Sequence, residues 1–172
     1  PVPGLLFNNS FAKGERAIPI NGLIWMGSPD WMQDQVAKKI KEGYSVLKFK
    51  IGAIDWKEEY EIIQQVREHF GPEILTIRVD ANGGFTESNV RQILNQLKDL
   101  SVHSIEQPVA VKEIDLLAAL CQEAIVPIAL DESLIPCYTL AEKVELLDRV
   151  CPQYIILKPS LHGGFTGTKE WI

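Results

Sequence analysis

The feature that most constrains this chain is a repeated pattern: short β-branched or apolar runs, each closed by a charged or polar cluster and followed by a helix-like stretch. The runs are Val46 to Ile51, Ile74 to Val79, Val102 to Ile105, Ile125 to Leu130 and Tyr154 to Leu157. All are too short for an ordinary helix and suit buried strands. An earlier run, Ile18 to Trp25, interrupted by Asn21 and Gly22, supplies a sixth strand. Between them, helices are expected over Asp30 to Glu42, Trp56 to Phe70, Ser88 to Leu100, Lys112 to Glu123 and Leu140 to Val150. In the second, Tyr60, Ile63, Val66 and Phe70 recur three or four apart and mark one face. Ser28 or Asp30, Asp55, Thr86 and Thr139 are the expected caps, and Gly43 and Gly71 the expected stops. Strands alternating with helices predict a parallel sheet with crossover helices.

The clusters closing the runs are Lys48-Phe49-Lys50, Asp80-Ala81-Asn82, Glu106-Gln107, Asp131-Glu132-Ser133 and Lys158-Pro159-Ser160. Lys50, Asp80, Glu106, Asp131 and Lys158 follow one another at 30, 26, 25 and 27 residues. That is the period of a βα unit, and one polar group at each strand tip is how a (β/α) barrel builds a site at one mouth. Three carboxylates on adjacent tips about 4.8 Å apart would repel unless a cation joined them. With no His or Cys among them, the set suits a hard divalent ion such as Mg²⁺ rather than zinc. The alternative is that each acid only caps the helix after its strand.

Lys48 and Lys50 are two residues apart on a strand, so both side chains face the same way, which in a barrel is the interior. A lysine beside another cation in a partly dry pocket is expected to have its pKa lowered toward that of a useful base. Lys158, across the rim, could hold a second proton position or offer its charge to an anionic intermediate. The other reading makes the lysine pair an exposed edge-strand feature. Two lysines flanking a carboxylate-bound ion suit removal of a proton α to a carboxylate.

These ordered elements resemble the muconate-lactonising subgroup of the enolase superfamily. Within it, Ile18-Pro19-Ile20-Asn21-Gly22-Leu23-Ile24-Trp25-Met26-Gly27 looks like the first strand of the o-succinylbenzoate synthases of menaquinone biosynthesis. The resemblance implies a Mg²⁺-dependent syn dehydration of a cyclohexadiene carboxylate. Lys50 would take the α proton and return it to the departing hydroxyl. Lys48 would help hold the substrate carboxylate and tune Lys50, and Lys158 would face the intermediate from the other side. Asp80, Glu106 and Asp131 match the metal ligands, with Asn82 and Ser133 orienting them. Racemisation of N-acyl amino acids or epimerisation of dipeptides is the alternative within the superfamily, and an inert half-barrel the alternative outside catalysis.

Measured against an enolase-like TIM-type barrel, the sequence supplies about six of eight strands. Residues 1–16 are expected to be the tail of an N-terminal capping domain or a linker, and residues 17–172 a partial (β/α) barrel. Open sheet edges would then invite association. The net charge of −6 gives no electrostatic reason to expect nucleic acid or an anionic membrane as partner, so a small-molecule substrate is expected, and the resemblance implies that it is a carboxylate. The start, Pro-Val-Pro-Gly-Leu-Leu-Phe, lacks a signal-peptide pattern, and a cytoplasmic setting is expected. Cys121, Cys137 and Cys151 are scattered in apolar surroundings and are expected to be buried free thiols. Trp25 and Met26 either line a substrate pocket or pack in the core, Trp31, Trp56 and Trp171 are expected to pack, and His162 is not assigned to catalysis. Gly163 and Gly164 serve either close backbone approach to a ligand or a tight turn.

Overall fold

The computed structural model describes residues 8–172. Six strands form one parallel sheet in sequence order: β1 (Gly22–Ile24), β2 (Val46–Lys50), β3 (Thr76–Asp80), β4 (Ser104–Glu106), β5 (Ile128–Leu130) and β6 (Tyr154–Ile155). The crossovers are α1 (Pro29–Lys41), α2 (Trp56–His69), α3 (Val90–Asp99), α4 (Ile114–Glu123) and α5 (Leu140–Val150), with α6 (Gly164–Lys169) after β6. Residues 1–7 of the expected capping-domain tail, including the stretch read for a signal peptide, lie outside the described residues. Among the described residues no helix is long and apolar enough to cross a membrane.

The core lies between sheet and helices. On β2, Leu47 and Phe49 are fully buried while Val46, Lys48 and Lys50 are half-buried, the period-2 alternation that sends the lysines to the inner face. Ile77, Val79, Ile105 and Ile128 continue the buried layer, against Ile63, Leu94, Leu97, Leu117 and Leu120 of the helices. Burying each such side chain contributes on the order of 1.5–3 kcal/mol.

Ser28 caps α1 by accepting from Trp31 N, Asp55 caps α2 by accepting from Lys57 N, and Thr139 forms a reciprocal capping box with Glu142. Gly43 adopts φ +86° and stops α1 as expected. Three details differ from the sequence reading. Asn89, not Thr86, precedes α3, because Thr86 N and Oγ1 are both turned onto the Asn89 side-chain oxygen. Gly71 is no left-handed stop; Arg67 ends α2 instead by donating to the carbonyls of Phe70 and Leu75, and it ties the next loop to Leu100 O. The first strand is only Gly22–Ile24, since Pro19 offers no N–H to a ladder and Ile18 and Ile20 are left exposed.

The cysteines do not behave alike. Cys121 is buried, Cys137 half-buried and Cys151 exposed, because Cys151 follows α5 in a left-handed C-cap on the surface. Trp171 is buried and Trp56 packs edge-on against Phe85 at 5.8 Å, whereas Trp31 is half-exposed and contributes less to packing.

Candidate active site

Parallel register sets the site. Lys50 stands opposite Asp80, and Asp80 opposite Glu106, so three charged side chains form a row across β2, β3 and β4. Glu106 stands opposite Ala129, and Asp131 follows β5 directly. The carboxylate residues Asp80, Glu106 and Asp131 are each at most 3% exposed. Charges at that depth need partners, and the lysines supply them. Lys48 Nζ lies 2.6 Å from Glu106 Oε2 and 2.9 Å from Asp80 Oδ2. Lys50 Nζ lies 2.7 Å from the same Asp80 oxygen and donates to Asn82 Oδ1 at 2.6 Å. Lys158 pairs with Asp131.

The loops leaving the tips turn sharply. Asn82 and Gln107, each just past a strand end, adopt φ +44° and +40°, a conformation uncommon for residues other than glycine. At Gly84 a side chain would bring Cβ to 3.0 Å from Ala81 O and 3.1 Å from Gly52 O, so the loops after β2 and β3 meet backbone to backbone.

Burial pushes the Glu106 carboxyl up to about 7; Lys48 opposes the rise, and Asp80 and Asp131 add to it. Burial also pushes Asp80 upward, but Lys50 and Lys48 outweigh it and hold the carboxyl below the usual range. Burial pulls the Lys48 ammonium down, yet Glu106 and Asp80 prevail and raise it. The sequence reading, that a second cation lowers this lysine toward neutrality, therefore fails for Lys48. Two carboxylates contact it, and opposite charge dominates.

The residues singled out from the sequence gather on one rim, with differences in what they touch. Asn82 bridges Lys50 and Glu132, donating to Glu132 Oε1 at 2.7 Å. Ser133 is bonded to Gln107 rather than to a carboxylate. The exposed ring of Trp25 lies 5.9 Å from Lys50 Nζ, on the site side rather than in the core, and Gln35 clamps both Trp25 N and Trp25 O at 2.9 Å. His162 packs edge-on against Trp171 beside Lys143, and Gly163 and Gly164, at φ +76° and +69°, form the turn into α6. Sequence reasoning did not assign Gln107, Glu132 or Glu59. Glu59 of α2 is fully buried and accepts from Gly52 N at 2.9 and 2.8 Å, fixing the loop after Lys50. Its only sequence signal is an acid on the buried face of an amphipathic helix.

Among the described residues no three His, Cys, Asp or Glu side chains close around one point as a metal cage. Lysine ammonium groups stand at the carboxylate oxygens instead. The donor chemistry nonetheless fits a hard divalent ion. Asp131 Oδ1 and Glu132 Oε2 are buried without a hydrogen-bond partner, and Asp80 Oδ2 has only its ion pairs. Asp80, Glu106 and Asp131 are the residues that could hold it.

Residues 31–172 match the family described as Enolase C-terminal domain-like. The chain is 48% identical over 166 residues to an o-succinylbenzoate synthase from Desulfotalea psychrophila, covering 96% of this chain and 45% of that protein. The crystal structure of MenC from the same organism superposes with a TM-score of 0.86 at 46% identity, again over 96% and 45%. An N-succinyl-L-Arg/Lys racemase from Bacillus cereus is 35% identical over 67% of this chain and 31% of its own length. An o-succinylbenzoate synthase from Thermosynechococcus elongatus BP-1, crystallised with Mg in its active site, gives a TM-score of 0.72 at 26% identity, over 85% of this chain and 45% of that one. The chain thus spans less than half the length of each of these relatives. A sheet of six consecutive parallel strands with charged tips, matched over most of its length by one family, leads to one conclusion: the chain belongs to the Enolase C-terminal domain-like family.

Proposed function

We propose that the protein containing this chain is a Mg²⁺-dependent lyase that dehydrates a cyclohexadiene carboxylate to o-succinylbenzoate, a step of menaquinone biosynthesis. The observation that carries this reading is the contact of Lys48 and Lys50 with one oxygen of Asp80, in register with Glu106. The 48% identity to an o-succinylbenzoate synthase supports the choice of substrate.

Asp80, Glu106 and Asp131 would hold Mg²⁺, which when bound supplies positive charge toward the substrate carboxylate as the α proton leaves. Lys48 and Lys158 contact those carboxylates, and with an ion held there their ammonium groups would be available to face substrate. Lys48, next to Lys50 on the inner face of β2, would then help hold the substrate carboxylate. Lys50, as the neutral amine, takes the α proton into its lone pair. The carbon–oxygen bond then breaks, and Lys50 returns the same proton to the hydroxyl, which departs as water. Lys158, on another tip, offers charge from the far side. Asn82 holds Lys50 from one side, and Trp25 offers an apolar face beside it.

The test is conversion of the cyclohexadiene carboxylate by the purified full-length protein, followed by ultraviolet absorbance, with Mg²⁺ and after chelation. Metal-dependent formation of o-succinylbenzoate is expected, and no product with Mg²⁺ present overturns the reading. A second reading, racemisation of N-succinyl amino acids, is favoured by the 35% identity to the racemase and by the placement of Lys50 and Lys158 on separate tips. Exchange of the α hydrogen in D₂O, with inversion, would identify it.

A further inference from the structure

Gln107 has no role in the chemistry above, yet it has the most extensively bonded side chain at the rim. It is fully buried and uses its whole hydrogen-bonding capacity. Its Nε2 donates to Ser133 Oγ at 2.8 Å and to Val109 O at 2.9 Å. Its Oε1 accepts from Asp131 N at 3.3 Å and Ser133 N at 3.1 Å. Its backbone donates to Ala129 O of β5 at 2.9 Å and accepts from Gly83 N, just past the β3 tip, at 2.7 Å. One residue thus connects the ends of β3, β4 and β5, the three strands that carry Asp80, Glu106 and Asp131. It does so in a left-handed conformation, φ +40°, which persists only where surrounding contacts hold it.

Gln107 is bonded in sequence to Glu106, and its amide oxygen takes the backbone N–H of Asp131. Any shift of the β5 tip relative to the β4 tip must therefore break these bonds. We infer that Gln107 is a positioning residue that sets the spacing of Glu106 and Asp131 for a divalent cation. This inference rests on the metal reading above. An apolar side chain of similar size would leave four polar groups without partners. The two tips would then be free to part under the mutual repulsion of their carboxylates.

The experiment is calorimetric titration of the full-length protein with Mg²⁺, without substrate, for wild type, Gln107→Met and Ser133→Ala, with thermal unfolding of each in chelator. Leu94→Ala, a fully buried core change on α3, serves as a destabilised control. Gln107→Met is expected to raise the Mg²⁺ Kd by about 10- to 100-fold, the usual effect of losing a group that orients ligands. Ser133→Ala, which removes one of the bonds, is expected to raise it by a smaller factor. The control should lower Tm with Kd unchanged. Wild type that binds Mg²⁺ together with unchanged Kd in both variants overturns the inference alone. Wild type that does not bind Mg²⁺ overturns the metal reading and this inference with it. If Gln107→Met does not fold, the Ser133→Ala titration decides.

Discussion

Lys50 faces Asp80 across the β2–β3 ladder, its ammonium nitrogen 2.7 Å from Asp80 Oδ2. The pairing follows from register, since a parallel ladder that sets Phe49 beside Val79 in the core also sets Lys50 beside Asp80 on the inner face at the tip. A base candidate and a ligand candidate are thereby held in place by the same hydrophobic layer.

Removing the lysine should leave that layer untouched. In the full-length protein, Lys50→Ala is expected to lower kcat by about 10²- to 10⁴-fold or more, the range for loss of a general base, with an unchanged far-ultraviolet circular dichroism spectrum. Retained turnover would remove Lys50 from the mechanism.

Glu106, pushed up to about 7, gives the metal-free protein a defined pH response. Its folded pKa lies above the unfolded one, so the folded state holds a proton that the unfolded chain releases. The Glu106 contribution to stability therefore falls as pH rises from about 4.5 toward about 7 and is flat beyond. A divalent cation must displace the same proton. Mg²⁺ should bind more tightly at pH 8 than at pH 6, with proton release visible in buffers of different ionisation enthalpy. A Kd independent of pH over that interval would contradict the assignment.

Glu59 should show its importance in stability rather than in binding. Glu59→Ala strands the buried N–H of Gly52 and weakens the turn through Ala53 and Ile54, at a cost of about 2–3 kcal/mol in denaturant unfolding. Burial raises its pKa, and the backbone N–H groups oppose without reversing the rise. The folded state again holds the proton longer, so the Glu59 contribution shrinks as pH rises above its ordinary 4.5. The stability gap between wild type and Glu59→Gln should accordingly narrow from pH 4 to pH 8.

The three thiols should separate cleanly under alkylation. Cys151 is exposed and should react first, whereas Cys121 is buried with its thiol pushed up to about 12 by burial and, in smaller part, by Cys151. Iodoacetamide at neutral pH followed by mass spectrometry is expected to label Cys151 in the native protein and Cys121 only after unfolding. Native labelling of Cys121 at a similar rate would contradict the packing of α4.

Much of this protein is set by local sequence. The βα repeat, the side to which Lys48 and Lys50 point, the caps at Ser28, Asp55 and Thr139, and the order Asp80, Glu106, Asp131 along the rim all follow from periodicities of 2 and 3.6 and from residue chemistry within a few positions. The tertiary structure alone decided which charge meets which. Lys48 reaches Glu106 across 58 residues of chain, and that contact, with Asp80, raises the lysine that the sequence reading lowered. The Gln107 network leaves no trace in the sequence and Glu59 only its place on the apolar face of α2, because a glutamine after a strand and a glutamate on a helix are each most often solvated. Their partners lie on other elements, brought near only when the apolar faces of strands and helices pack and fix the register between them.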